Sequence, residues 1–215
     1  MIVPAKVKLY HITHLDNLPY IVKDGFLFSE AELRKRPPAG VSIGMKAIKD
    51  RRLKVLTLAS HPELHVGECV PFYFCPRSIM LFMYYKRNHK DIEYHGGQEP
   101  IVHLVSDLYH AVDWADRNRH RWVFTNSNAG TTYFEDFADL CDLEKIDWKA
   151  VHSTQWSDRD IKEMKQAEFL IEGSFPWGLV EEIGVYSTKQ QNEILKILDG
   201  SAKLPIVRVQ KSWYY

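Results

Sequence analysis

The chain has 215 residues, 28 Lys+Arg balanced by 28 Asp+Glu, and a composition that is 45% hydrophobic and 26% charged. These proportions are ordinary for a folded globular protein and exclude the polar, highly charged regime of disordered chains. The length favours one domain, 1–215, with a substantial core. Three cysteines, Cys69, Cys75 and Cys141, are too few and too unevenly spaced for a disulfide framework. No apolar run approaches the roughly 18 residues of a membrane span, and Met1–Lys6 lacks the apolar stretch of a signal peptide. The expectation is a reduced, cytoplasmic protein with no membrane contact.

In chain order, Val7–Ile12 reads as a short strand. Asn17 then caps a helix with Pro19 in its first turn and Gly25 at its end. A Pro-rich loop at 36–40 leads to a short basic helix over Ile43–Lys54. Val70–Cys75 reads as a buried strand, Ser78–Lys86 as a helix, Ile101–Val105 and Arg121–Thr125 as strands. Turn residues follow at Asn126–Gly130, and Phe134–Ile146 reads as an amphipathic helix. Ala167–Ile171 and Glu182–Tyr186 are strands. Thr188 and Gln191 form a capping box for a helix stopped near Gly200, and Leu204–Val209 is a closing strand. Irregular interleaving of strands and helices points to an α+β fold rather than a doubly wound sheet.

The neutral total conceals segregated signs. Arg34 to Lys54 holds eight Lys/Arg against one acid, Asp50, whereas acids gather between Glu135 and Asp147. Such segregation suits an enzyme that meets a polyanion on one side. No Gly-rich phosphate loop follows a strand. His61, His65 and Cys69 share a spacing of four, but Pro62 and Gly67 interrupt that helix and no further ligand completes a metal site. No Gly-x-Ser-x-Gly elbow provides a nucleophile.

Four scattered pieces remain: Tyr10-His11-Ile12-Thr13-His14 at the end of an apolar strand, Arg51-Arg52, Pro71 to Ser78 with aromatics beside Arg77, and Glu168 among the apolar residues 167–171. Together with Gly97 to Leu104, Phe175-Pro176-Trp177 and the terminal Trp213-Tyr214-Tyr215, they occur in the order found in one family. The chain resembles the DarT-type DNA ADP-ribosyltransferase toxins of bacterial toxin–antitoxin systems.

The resemblance implies an ADP-ribosyltransferase fold, a split and strongly curved, mixed or antiparallel sheet with surrounding helices, whose cleft holds NAD. It implies transfer of ADP-ribose to thymine or guanine of single-stranded DNA, with a macrodomain antitoxin of the DarG type as partner and no metal. Carried over by position, Glu168 and Arg52 are catalytic, and His11, Thr13, Tyr73 and Arg52 hold NAD. Arg51, Arg77, Trp156, Asn126 and Asn128 fall on the DNA side. The residue types suit the chemistry. Cleavage of the nicotinamide–ribose bond develops an oxocarbenium-like centre, which a carboxylate stabilises while helping to deprotonate the acceptor. His11 is expected to donate to a ribose hydroxyl. An arginine fork suits pyrophosphate oxygens, and an aromatic such as Trp156 suits an unstacked base.

One departure stands out. Relatives often carry Asp-x-His-Ala after the strand that ends at Thr125, whereas this chain has Asn126-Ser127-Asn128-Ala129, so that loop is expected to tune which base is accepted. Two alternatives remain: transfer to protein or RNA, or plain NAD hydrolysis, in the same cleft, and a binding module without turnover.

Overall fold

The protein is described from a computed structural model covering residues 3–87, 89–154 and 158–215. Among these residues the first half runs β1 (Lys8–His14), α1 (Leu18–Asp24), β2 (Phe26–Phe28), α2 (Glu30–Arg34), α3 (Lys46–Lys54), β3 (Cys69–Tyr73), α4 (Ile79–Lys86), β4 (Ile101–Asp107) and α5 (Leu108–Asn118). The second half runs β5 (Trp122–Thr125), β6 (Asp136–Phe137), α6 (Trp148–His152), α7 (Arg159–Met164), β7 (Glu168–Glu172), β8 (Ser174–Pro176), β9 (Glu182–Val185), α8 (Thr188–Ile197) and β10 (Ile206–Val209).

Eight strands form one sheet in the order β10-β9-β4-β1-β3-β7-β5-β6, and β2 pairs with β8 apart from it. Every neighbouring pair is antiparallel except β9–β10. This is the α+β class expected from the sequence. The register shows where the sheet divides. β1 pairs with β4 along its whole length, from Lys8↔Asp107 to His14↔Ile101, and β3 pairs with β7 from Cys69↔Glu172 to Tyr73↔Glu168. Between these halves, β1 and β3 meet at Tyr10↔Tyr73 alone.

Both faces of the central strands are covered. Leu9, Val70, Phe72, Phe124, Phe169 and Ile171 point into the main core, while the alternate residues Val123 and Leu170 pack with Leu56, Leu58, Leu64 and Val66 on the other face. Burial on both faces explains why 167–171 reads as an unbroken apolar run rather than an alternating one. It also makes Glu168, on the Leu170 side, a carboxylate in a low-dielectric neighbourhood.

Several boundaries differ from the sequence reading for physical reasons. The helix expected over Phe134–Ile146 is absent: β6 pairs Thr125↔Asp136 and Phe124↔Phe137, and Leu140–Lys145 is a 3-10 turn. Asp136 accepts the backbone N–H groups of Ala59 (2.7 Å) and Ser60 (3.0 Å), a use of its side chain that competes with helix. The basic helix starts at Lys46, not Ile43, because Ile43 and Met45 pack against the Tyr84 cluster. Asn17 does precede α1, but its side chain makes no cap there. It instead donates to Thr13 Oγ1 and to the Val41 carbonyl (both 2.9 Å) and accepts from Val41 N–H (2.7 Å). At α8 the N-cap is Ser187, one residue before the expected Thr188, and its hydroxyl turns to the Gln190 side chain. Helix α5 was not expected, although Asp107 caps it through Tyr109 and His110 and Leu108, Ala111, Val112 and Ala115 bury one stripe, the spacing of an amphipathic helix.

On the outer face of β1 and β4, the final residues close over His103. Trp213 and Tyr214 present edges to its ring, and Tyr214 donates to the Ile101 carbonyl at 2.7 Å. His103 Nε2–H donates to the Pro76 carbonyl at 2.9 Å. Burial lowers its pKa from 6.5 to about 4. An unfolded chain therefore binds that proton more readily than the folded one, and the contribution of His103 to stability is complete above 6.5 and lost as pH falls towards about 4. Urea unfolding across that range should show a shallower loss for His103→Gln than for the unsubstituted protein.

Candidate active site

Glu168 opens β7, and its carboxylate is held in both oxygens by Arg52 of α3: Nη2 to Oε2 at 2.7 Å and Nη1 to Oε1 at 3.3 Å. The two side chains are 3% and 16% exposed. A residue in the last turn of a nine-residue surface helix reaches a buried strand end because α3 sits tightly on the turn before β3. A Cβ on Gly67 would lie 2.8 Å from the Leu53 backbone nitrogen, so only glycine permits that approach. Burial alone lowers the Arg52 pKa, but the charge and hydrogen bond of Glu168 outweigh it and the net shift is upward; the guanidinium stays charged.

Tyr73 lies between Tyr10 and Glu168 in register across β1, β3 and β7, so three side chains stand abreast on one face. Burial, and then the Glu168 charge, raise the Tyr73 phenol above its usual range. It is a hydroxyl donor beside the carboxylate.

His11 occupies the split itself. Its Nδ1–H donates to the Pro71 carbonyl at 2.8 Å and its ring packs against Phe72. Alternation along β1 sets Leu9, His11 and Thr13 on the Phe72 side and Tyr10, Ile12 and His14 on the Tyr73 side. The structure thus brings Arg52, Glu168 and Tyr73 together, whereas the His11 hydrogen bond and ring contact go to Pro71 and Phe72. Burial lowers the His11 pKa, which favours the neutral ring. With Nδ1 already donating to a carbonyl, the second nitrogen, Nε2, is an acceptor, not the donor expected from the sequence. Thr13 is buried and receives the Asn17 bond; through Asn17 it anchors the loop that leads to α3.

The loop after β5 wraps the same corner. Thr125 hydroxyl accepts Glu168 N–H at 3.0 Å and donates to the Ser127 carbonyl at 2.7 Å. Regular β5–β7 pairing stops at Phe124↔Phe169, so this hydroxyl takes the place of the next backbone carbonyl. Asn126 donates to Glu135 Oε2 at 2.8 Å, and Asn128 donates to Gln166 Oε1 at 2.8 Å while accepting from Gly130 N–H. An aspartate at 126 would oppose the Glu135 carboxylate, so this asparagine is matched to its neighbour. Arg51 donates to Thr132 Oγ1 at 2.6 Å. Arg77 is engaged elsewhere, stacked 4.3 Å from the Tyr215 ring centroid, and Trp156 lies outside the described residues. Among the described residues no group of three or more His, Cys, Asp or Glu is arranged to hold a metal.

One neighbour of Glu168 escaped sequence reasoning. It is Thr125, signalled only by a hydroxyl at a strand end before a turn. His14, the last residue of the Tyr10–His14 motif, lies on the Tyr73 face, accepts Asp16 N–H at 3.2 Å and meets the Tyr94 edge.

Comparison with known proteins decides the family. Residues 10–215 match the family model described as ssDNA thymidine ADP-ribosyltransferase, DarT. The chain belongs to the DarT family. It is 40% identical over 215 residues to the DNA ADP-ribosyl transferase of Thermus sp. (strain 2.9), covering 99% of this chain and 98% of that protein. The namesake of Mycobacterium tuberculosis (strain ATCC 25618 / H37Rv) is 28% identical over 214 residues, covering 96% and 88%. Among solved structures, Thermus sp. 2.9 DarT in complex with ADP-ribosylated ssDNA superposes with a TM-score of 0.89 at 38% identity, covering 100% of this chain and 99% of that one. The same protein in complex with NAD+ gives 0.83 at 38% identity with complete coverage of both chains (100% and 100%). The resemblance read from scattered motifs and the family shown by whole-chain comparison are the same.

In this DarT-family site, Thr125→Val keeps the shape but leaves the Glu168 N–H unsatisfied in a buried ladder. It should cost about 1–3 kcal/mol in urea unfolding, whereas Thr125→Ser, which retains the hydroxyl, should stay close to the unsubstituted value.

Proposed function

We propose that this protein transfers ADP-ribose from NAD to a thymine of single-stranded DNA, with release of nicotinamide, through one domain spanning 1–215 in the cytoplasm. The observation that carries the reading is the buried, two-pronged Arg52–Glu168 pair at the mouth of the split sheet. The family description names thymidine as the acceptor, and a Thermus relative is solved with NAD+ and with ADP-ribosylated ssDNA. No described helix is long and apolar enough to cross a membrane, which is compatible with that location.

The chemistry follows from charge. The C1′–N bond of NAD breaks with its electron pair leaving on nicotinamide, which departs neutral. Positive charge then sits on the ribose ring, where the Glu168 carboxylate stabilises it at close range in a low-dielectric corner. An acceptor ring nitrogen attacks C1′, and its proton passes to the carboxylate. Arg52 spends two of its five N–H donors on Glu168; it fixes the carboxylate and has donors left for NAD oxygens. Tyr73 lies at the nicotinamide end of the site. His11, through Nε2, accepts from a ribose hydroxyl at the split, with Thr13 holding the wall beside it.

The partner is a macrodomain antitoxin of the DarG type, which would remove the modification. Expression without it should arrest growth only while Glu168 is intact. In vitro, labelled NAD offered separately to an oligonucleotide, an RNA and a protein acceptor should label the thymine-containing oligonucleotide. Glu168→Gln should lower that rate by about 10²–10³-fold or more, with NAD binding, measured by calorimetry below the melting temperature of the variant, changed only a few-fold. Transfer at the wild-type rate would remove Glu168 from the mechanism.

The loop at Asn126 and Asn128 tunes the acceptor. Asn126→Asp and Asn128→His, made together with Glu135→Gln to avoid opposed carboxylates, should change base preference or rate. Unchanged values for both would remove the loop from base selection.

A further inference from the structure

The loop that follows β5 is fastened far more firmly than a surface connection needs. Asn126 and Glu135 clasp its two ends through the Asn126 side-chain amide and both backbones. The Thr131 hydroxyl turns back on the Asn128 and Tyr133 carbonyls at 2.9 and 3.0 Å. Two tethers then tie the loop to neighbours of the proposed catalytic pair: Asn128 to Gln166, two residues before Glu168, and Thr132 to Arg51, beside Arg52. From this frame Tyr133 projects its ring into solvent. At 87% exposure it is the most exposed large hydrophobic side chain among the described residues.

A single exposed tyrosine is unremarkable by itself. Here a loop braced by these bonds holds the ring at the rim of the site, next to a helix with a strong excess of basic residues. In α3 the only acid, Asp50, is bonded to Arg34 at 2.7 Å, and Arg51, bonded to Thr132, is the basic residue at the loop. An aromatic face beside fixed positive charge is the arrangement that binds single-stranded nucleic acid, with bases stacking and phosphates neutralised. The surroundings, Asn126, Thr131 and Thr132, are polar, and one ring on a polar loop is far smaller than the roughly 800 Å² per partner that a stable protein interface buries.

We propose that Tyr133 is a stacking platform for a nucleobase of the single-stranded substrate that flanks the modified base, with Arg51 at the adjoining phosphate. This rests on the reading of Arg52 and Glu168 as the reacting centre, because that reading makes the rim part of the DNA path. A preformed platform places the strand without ordering a loop on binding, which lowers the entropic cost of holding a flexible ligand.

Steady-state transfer to an oligonucleotide with a single thymine tests the proposal. Tyr133→Ala should raise the oligonucleotide KM roughly 5- to 100-fold, with the NAD KM and the kcat at saturating oligonucleotide altered far less. Tyr133→Phe and Tyr133→Trp should stay near wild type, since stacking needs the ring face and not the hydroxyl. Arg51→Gln should reduce the slope of log affinity against log salt by about one. A wild-type oligonucleotide KM in Tyr133→Ala overturns the proposal, as does equal loss in Tyr133→Phe and Tyr133→Ala. If Glu168→Gln retains full transfer, the catalytic reading fails whatever the Tyr133 variants do; if it is inactive and Tyr133→Ala behaves as wild type, only the platform fails.

Discussion

A buried ion pair between residues 116 positions apart in the chain organises this molecule. Arg52 comes from a basic helix on the surface and Glu168 from the start of an interior strand, and each would be costly to bury alone. Desolvation offsets much of what a buried ion pair gains by attraction, and apolar residues of similar volume often serve a fold as well. What the pair provides is a carboxylate of fixed orientation in a corner poor in water, with a permanent cation against it. The tight seat of α3 on Gly67, the exhaustion of β5–β7 pairing at Phe124 and the hydroxyl of Thr125 all bear on where that carboxylate sits.

The sheet is weakest in its middle, where β1 and β3 share one registered pair. That pair is Tyr10↔Tyr73, and Tyr73 is in turn paired with Glu168. His11 fills part of the split; burial favours its neutral ring, and the Pro71 carbonyl fixes the proton on Nδ1. Thr13, Asn17 and Val41 fasten the loop above it, so the same segment that lines the split also fixes the approach of α3. The β5–β6 loop closes a third side through Asn128 and Arg51. Strand end, basic helix and loop thus form one connected unit around the pair.

Most strands were legible in the sequence because their apolar runs are long and bounded by turns, as at 70–75, 101–105 and 167–171. Glu168 was legible for a related reason, as a lone carboxylate in a run that burial on both faces makes wholly apolar. The segment 134–146 misled because its apolar spacing suits a helix, whereas the Asp136 side chain is spent on the backbone of Ala59 and Ser60, almost eighty positions earlier. No local pattern reports such a bond. The choice of donor or acceptor at His11 was hidden likewise, since it depends on which carbonyl lies beside Nδ1.

The amino-acid sequence by itself determined the class of fold, the family and the residue types available for the reaction, because apolar periodicity and motif order are properties of the chain taken in line. Which of those residues meet was decided only by the tertiary structure. Strand register set Tyr10, Tyr73 and Glu168 abreast, and alternation turned His11 to the other side. Close packing on a glycine carried Arg52 across to its partner. Contacts of that kind depend on distances through space between segments far apart along the chain.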